Sequence, residues 1–119
     1  MISFKGRLSR KAFLIQSVIV GLTQFLNVIV ISFVQKSLAA STDTSLALLS
    51  LPISLISIVI SICVVIFSIS ISIKRWHDIG KSGWWTLTTL IPAINIVVWI
   101  YLIFKKGDIG SNQFGSPQK

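Results

Sequence analysis

The sequence predicts an all-α integral membrane protein, a small bundle of three transmembrane helices. Three observations carry that expectation. The chain is 53% hydrophobic and only 12% charged, whereas soluble domains average about 25% charged residues. It holds three long uncharged runs, Ala12 to Val34, Leu46 to Ile73 and Trp84 to Phe104. Each reaches the about 20 apolar residues that a spanning helix needs. Its cations gather at the ends of those runs, where a membrane protein meets anionic headgroups. A single membrane domain is expected over 1–119, with spans at about 12–34, 50–73 and 84–104 and an irregular tail at 105–119. The net charge of +8 could suggest nucleic acid. No basic face survives once the apolar runs are buried, so nucleic acid is not an expected partner.

The first segment, up to Lys11, is basic and includes Arg7 and Arg10. Basic residues beside a span hold that end on the cytoplasmic side. Arg7 and Arg10 could also bind a phosphate or pair with Asp78. Ser9 is placed to cap the helix that follows. The first run is longer than the h-region of a signal peptide and contains Gln16, Gln24 and Asn27, which argues against cleavage. Gln16, Thr23 and Asn27 fall in one narrow stripe at about 100° per residue. Polar side chains in hydrocarbon seek partners on other helices; lining a polar pathway is the alternative. The small polar connector Gln35 to Ser45 reads as a loop on the outer side, since Lys36 is its sole cation.

The second run exceeds the hydrocarbon thickness, and Pro52 suggests that its span begins near Ser50 or Leu51. Ser50, Ser54, Ser57, Ser61, Ser68 and Ser72 lie within about 60° of one another on a helix, with Ser70 opposite. Such a small-residue stripe suits close helix packing. Leucine at Ser57 or Ser61 is therefore expected to do more harm than leucine at Ser70.

A dense turn follows, Lys74 to Trp85. Gly80-Lys81-Ser82 is no P-loop, because Arg75 stands where that motif needs a glycine. His77 and Asp78 fall short of a metal site, which needs three or four ligands. They also lack the convergent partners of a catalytic set. No metal, cofactor or catalytic residue is expected. The lone cysteine, Cys63, excludes an internal disulfide. Ser82 is placed to cap the third run. Trp84 and Trp85 at one end of that run and Trp99 and Tyr101 at the other read as two aromatic belts. Pro92 weakens its middle.

Phe4, Gly6, Arg7, Ser9, Arg10 and Phe13 open a pattern that continues through Arg75, His77, Asp78, Gly80, Ser82, Gly83, Trp84, Trp85 and Pro92. It closes with Gly107, Gly110, Asn112, Phe114, Gly115 and Pro117. This pattern resembles the small bacterial inner-membrane proteins grouped as domain-of-unknown-function 805. It covers nearly the whole chain. Lys74, Trp76 and Ser116 depart from it, standing where arginine, leucine and an acidic residue are usual. The resemblance implies a multi-pass plasma-membrane protein of undetermined activity, and it supplies no catalytic residue.

Three spans with a cytoplasmic N-terminus leave Lys105 and Lys106 on the outer face, against the positive-inside rule. Two spans plus a re-entrant helical hairpin turning at Pro92–Asn95 would keep the tail inside. In both forms the N-terminal segment and the 74–83 turn share one face. There Arg7, Arg10, Arg75 and Lys81 could clamp an anionic lipid. Gly80 and Gly83 would bring backbone amides near the phosphate, and Asp78 would steady one arginine. The plainer reading is that these cations are hydrated singly as topology anchors. The expected function is a structural or regulatory membrane component that binds anionic lipid, a partner membrane protein or further copies of itself. The alternative is a subunit of an oligomeric small-molecule transporter or channel. An enzyme acting on lipid headgroups through His77 and Asp78 is the weakest of the three.

Overall fold

A computed structural model describes residues 4 to 118. Lys119, the end of the expected tail, lies outside them. The helical class holds. The elements are α1 (Arg10–Ala39), α2 (Thr44–Asp78), a 3-10 helix (Gly83–Leu90) and α3 (Pro92–Phe104). Among the described residues the sole β feature is an isolated bridge between Asn112 and Gly115.

The ends of the two long helices follow from local chemistry. Ser9 Oγ accepts the Ala12 amide at 3.3 Å, so it caps α1 as its position suggests. Asp43 starts α2: its carboxylate accepts the Ser45 amide at 2.9 Å and the Ser45 hydroxyl at 2.8 Å. These bonds, the backbone one foremost, hold the Asp43 carboxyl below the usual carboxylate range. Pro52 therefore lies inside α2 and not at its start. Its 35 residues make α2 roughly 50 Å long, well beyond a hydrocarbon core of about 30 Å. Both α1 and α2 are long and apolar enough to cross a membrane. Large apolar side chains stand out from them, among them Phe25, Phe33, Leu48 and Leu55. Water would penalise that much exposed apolar surface, and lipid would not.

The third run differs from a single helix. Ile91 is extended, with φ −88° and ψ 112°, because a residue before proline is driven out of the α region. Pro92 then occupies the first turn of α3, the place where its missing N–H costs nothing. Thr88 and Thr89 hydroxyls donate to the Trp85 and Thr86 carbonyls three residues back, each at 2.6 Å, and support the tighter 3-10 winding. The 13 residues of α3 rise only about 20 Å, short of a full crossing.

The chain divides into two compact units, Ile19–Val65 and Met1–Val18 with Ile66–Lys119. In the first, the hairpin unit, Asn27 Nδ2 donates to the Ser57 carbonyl at 3.2 Å and to Ser61 Oγ at 3.0 Å. The Ser57 hydroxyl donates to Asn27 Oδ1 at 2.9 Å. Gln24, outside the predicted stripe, also reaches Ser61 Oγ, at 3.5 Å. Thr23, inside that stripe, is exposed and donates to Ile19 of its own helix. Ser50 and Ser57 are buried, and Ser54 and Ser61 half-buried.

The second, the terminal unit, holds Leu8, Phe13, Ile71, Trp76, Ile79, Val98 and Leu102 in its core. Gln16, Ser68 and Ser72 belong to it and are half-buried. Ser70, predicted to face outward, is only 2% exposed. The periodicity fails there because no α2 residue from Ser70 to Asp78 is exposed; this stretch is buried or half-buried all round the helix. Ser70→Leu should therefore cost about 1–3 kcal/mol by overpacking, against the order expected from the stripe. Asn27→Ala should cost about 1 kcal/mol, in the range of interhelical hydrogen bonds in membranes, and Thr23→Ala almost nothing. Unfolding of the purified variants in detergent measures all three.

Candidate functional site

The site lies in the terminal unit and is built on one carboxylate. Asp78, the last residue of α2, is 6% exposed. Its Oδ1 accepts Arg7 Nε at 3.0 Å, and its Oδ2 accepts Arg75 Nη1. Arg75 is wholly buried, one helical turn before Asp78. Its Nε donates to the Leu102 carbonyl at 2.7 Å and its Nη1 to the Leu8 carbonyl at 3.2 Å. Its Nη2 donates to the Lys105 carbonyl. Arg7 takes the carbonyls of the tail: Gly110 at 2.5 Å, Gly115 at 3.2 Å and Asp108 at 2.7 Å. All three nitrogens of each guanidinium are thus engaged. Buried charge is tolerated only when paired and hydrogen-bonded in this way.

The backbone runs tight around this centre. Leu8 N–H donates to the Lys74 carbonyl at 3.1 Å, and Asp108 N–H to the Asp78 carbonyl at 2.7 Å. A side chain at Gly107 would collide with the Asp78 carboxylate. Gly80 ends α2: with φ +80°, it donates to His77 O at 3.0 Å while Lys81 donates to Trp76 O at 2.9 Å. This is the glycine-closed helix terminus with its paired back-bonds. Gly83 is needed for close approach, since a Cβ there would stand 2.8 Å from Ile73 Cγ2.

His77 is fixed by the two ends of the chain. Its Nδ1 lies 3.1 Å from the Gly6 carbonyl oxygen. A carbonyl oxygen accepts, so Nδ1 carries the proton. The ring stacks on Phe114, centroids 3.9 Å apart and planes 4° from parallel. Asn112 Nδ2 donates to the His77 carbonyl at 2.9 Å and to Asp108 Oδ2 at 2.8 Å. Gln118 Oε1 accepts the Ser9 amide at 3.0 Å.

These contacts correct the predicted lipid clamp. Arg7 and Arg75 are buried with their donors engaged inside the protein, so neither is open to a lipid phosphate. Gly80 and Gly83 serve a helix end and a close approach. Asp78 steadies both arginines. Of the predicted contacts, Arg10 is exposed and Lys81 half-exposed. The Lys81 ammonium lies 4.5 Å from the Trp85 ring centroid, within cation–π range. The two aromatic belts are also corrected. Trp85, at the start of the third run, and Tyr101, near its end, both pack on Trp76, at centroid distances of 5.8 Å. The run leaves the Arg75–Asp78 region at Gly83 and returns to it at Leu102 and Lys105. The run thus folds back toward the end of α2, with its break at Ile91. Sequence reasoning gave no role to Leu8, Gly107, Asp108, Asn112 or Phe114. The signal was present for three of these: Gly107, Asn112 and Phe114 belong to the closing block of the motif pattern.

A cleft of about 440 Å³ opens beside His77. Its walls are the last turns of α2 and the 3-10 helix, with Ile69, Ile73, Leu87 and Leu90 among the lining residues.

The chain is similar to "Inner membrane protein YhaH" of Escherichia coli (strain K12), 36% identical over 50 residues. That stretch is 42% of this chain and 41% of the relative. It is similar also to "Inner membrane protein YhaI" of the same strain, 34% identical over 50 residues, 42% of each chain. The chain thus matches less than half the length of each of these relatives. No solved structure matches it. The relatives and the two long apolar helices mark it as a bacterial inner-membrane protein. The match that spans residues 1–116 is to "Protein of unknown function (DUF805)", and the chain belongs to that family.

Proposed function

We propose that the protein is a small structural or regulatory component of the bacterial inner membrane that holds anionic lipid at the face carrying both chain termini. One observation carries this reading. Of the 11 Lys and Arg residues only Lys36, and of the three carboxylates only Asp43, lie in the hairpin unit; the entire net charge of +8 therefore belongs to the terminal unit. Asp78 is committed to Arg7 and Arg75, and Asp108 accepts from Asn112. Among the described residues no carboxylate pairs with Arg10, Lys11, Lys105 or Lys106, all exposed. Lipid phosphates are the nearest anions to such a rim, and each near-surface cation gains about 1 kcal/mol from them. His77 and Asp78 have structural partners, so the role proposed is binding without catalysis.

The proposed topology follows from the same rim. α1 and α2 cross, the 83–104 segment dips in and returns, and both termini lie in the cytoplasm. Lys105 and Lys106 then obey the positive-inside bias together with Arg10, Lys11 and Lys74.

Two measurements test the reading. The Arg10→Gln/Lys105→Gln/Lys106→Gln variant, in bilayers mixing phosphatidylglycerol and phosphatidylcholine, should lose anionic-lipid enrichment by up to roughly a hundredfold. Lys36→Gln should change little. Equal enrichment in the triple variant and the unmodified protein would refute lipid holding. A Ser116→Cys reporter in a Cys63→Ser background should react with an impermeant thiol reagent in inverted vesicles and not in intact spheroplasts. The reverse pattern would refute the topology.

A further inference from the structure

We propose that the cleft beside His77 seats one acyl chain of a phosphatidylglycerol-type lipid, with the glycerol headgroup at His77. This deepens the anionic-lipid reading and rests on it. The cleft, about 440 Å³, has the size of a small-molecule site. Its lower walls, Ile69 and Ile73 on α2 and Leu87 and Leu90 on the 3-10 helix, are aliphatic. They stand in the part of the chain that the membrane surrounds. An apolar groove open to hydrocarbon fills with lipid tail, because water there would lack hydrogen-bond partners.

The upper end is polar and chemically selective. His77 and Ser82 line it. With Nδ1–H donated to Gly6, Nε2 is the ring nitrogen left to accept. Nε2 borders the cleft at Gly83, where an added Cβ would come within 3.4 Å of it. Among the described residues Nε2 has no hydrogen-bond donor. An occupant that offers a hydrogen there gains a bond, and the net charge of +8 carried by the terminal unit favours an anion. A phosphodiester with no hydroxyl supplies the charge without the hydrogen. A choline head has neither a hydroxyl nor a net negative charge. A phosphoglycerol head supplies both, one hydroxyl donating to Nε2 and the phosphate facing the cationic rim. Trp84 also lines the cleft, and tryptophan favours headgroup depth.

Native mass spectrometry of the full chain from defined bilayers tests this. One phosphatidylglycerol per chain should survive detergent activation that strips phosphatidylcholine and phosphatidylmethanol, an anionic phosphodiester with no hydroxyl. Leu87→Trp, and independently Ile69→Trp from the opposite wall, should fill the cleft and reduce that retained fraction several-fold. Both residues are partly exposed, so the helix content by circular dichroism should hold. In these cleft variants the bilayer enrichment of anionic lipid, set by Arg10, Lys105 and Lys106, should persist. Unchanged retention in both filled variants, or equal retention of phosphatidylmethanol, overturns the seat and leaves the rim reading standing. Unchanged enrichment in the charge variant with the single lipid still held would point to the cleft without the rim.

Discussion

The carboxylate of Asp78 lies between two buried guanidinium groups, and the terminal unit depends on that arrangement. Two like charges buried side by side would be strongly unfavourable without it. With it, each arginine keeps its remaining nitrogens for backbone carbonyls. Those carbonyls come from segments far apart in sequence: Leu8, Leu102, Lys105, Asp108, Gly110 and Gly115. The arginines therefore act as connectors. They tie the N-terminal segment, the end of α3 and the glycine-rich tail to the end of α2. Arginine suits this role because its planar fork offers five donors in fixed directions, which a lysine ammonium does not.

This arrangement also divides the cations into two kinds. Arg7 and Arg75 are interior parts of the fold. Arg10, Lys11, Lys105 and Lys106 are left on its surface, and among the described residues no carboxylate pairs with them. A chain of this composition carries too few acidic residues to neutralise itself, and the membrane supplies the missing anions in the proposed reading. The cleft beside His77 adds shape to that charge. The same histidine that joins Gly6 and Phe114 presents its second nitrogen to the cleft, so one side chain serves both the fold and the proposed lipid seat.

The helices were legible because uncharged runs of spanning length leave few alternatives. The pairing of Asp78 with Arg7 or Arg75 was legible too, since so few carboxylates are available to so many cations. Burial was not. Whether Arg75 meets lipid or protein depends on where the tail folds, and Gly107 to Gly115 has no periodic pattern to announce it. Of the serine stripe, Ser57 and Ser61 meet Asn27 of the neighbouring helix. The stripe failed at Ser70, where the helix is buried or half-buried all round. Pro92 was visible as a weak point. That it would end one helix and start another followed from the extended backbone it imposes on Ile91, a local effect that a run of apolar residues conceals. Gln24 entered the Asn27 cluster from outside the stripe because a glutamine side chain is long enough to reach Ser61.

The most direct test of the central claim is limited trypsin digestion of the Asp78→Asn protein in detergent, followed at Lys105 and Lys106. Removing the charge leaves two buried guanidiniums unpaired, a loss of about 3–5 kcal/mol. The tail should then detach and be cut far faster than in the unmodified protein, while α1 and α2 keep their helix signal. Cleavage at the unmodified rate, with the tail still held against α2, would contradict the account.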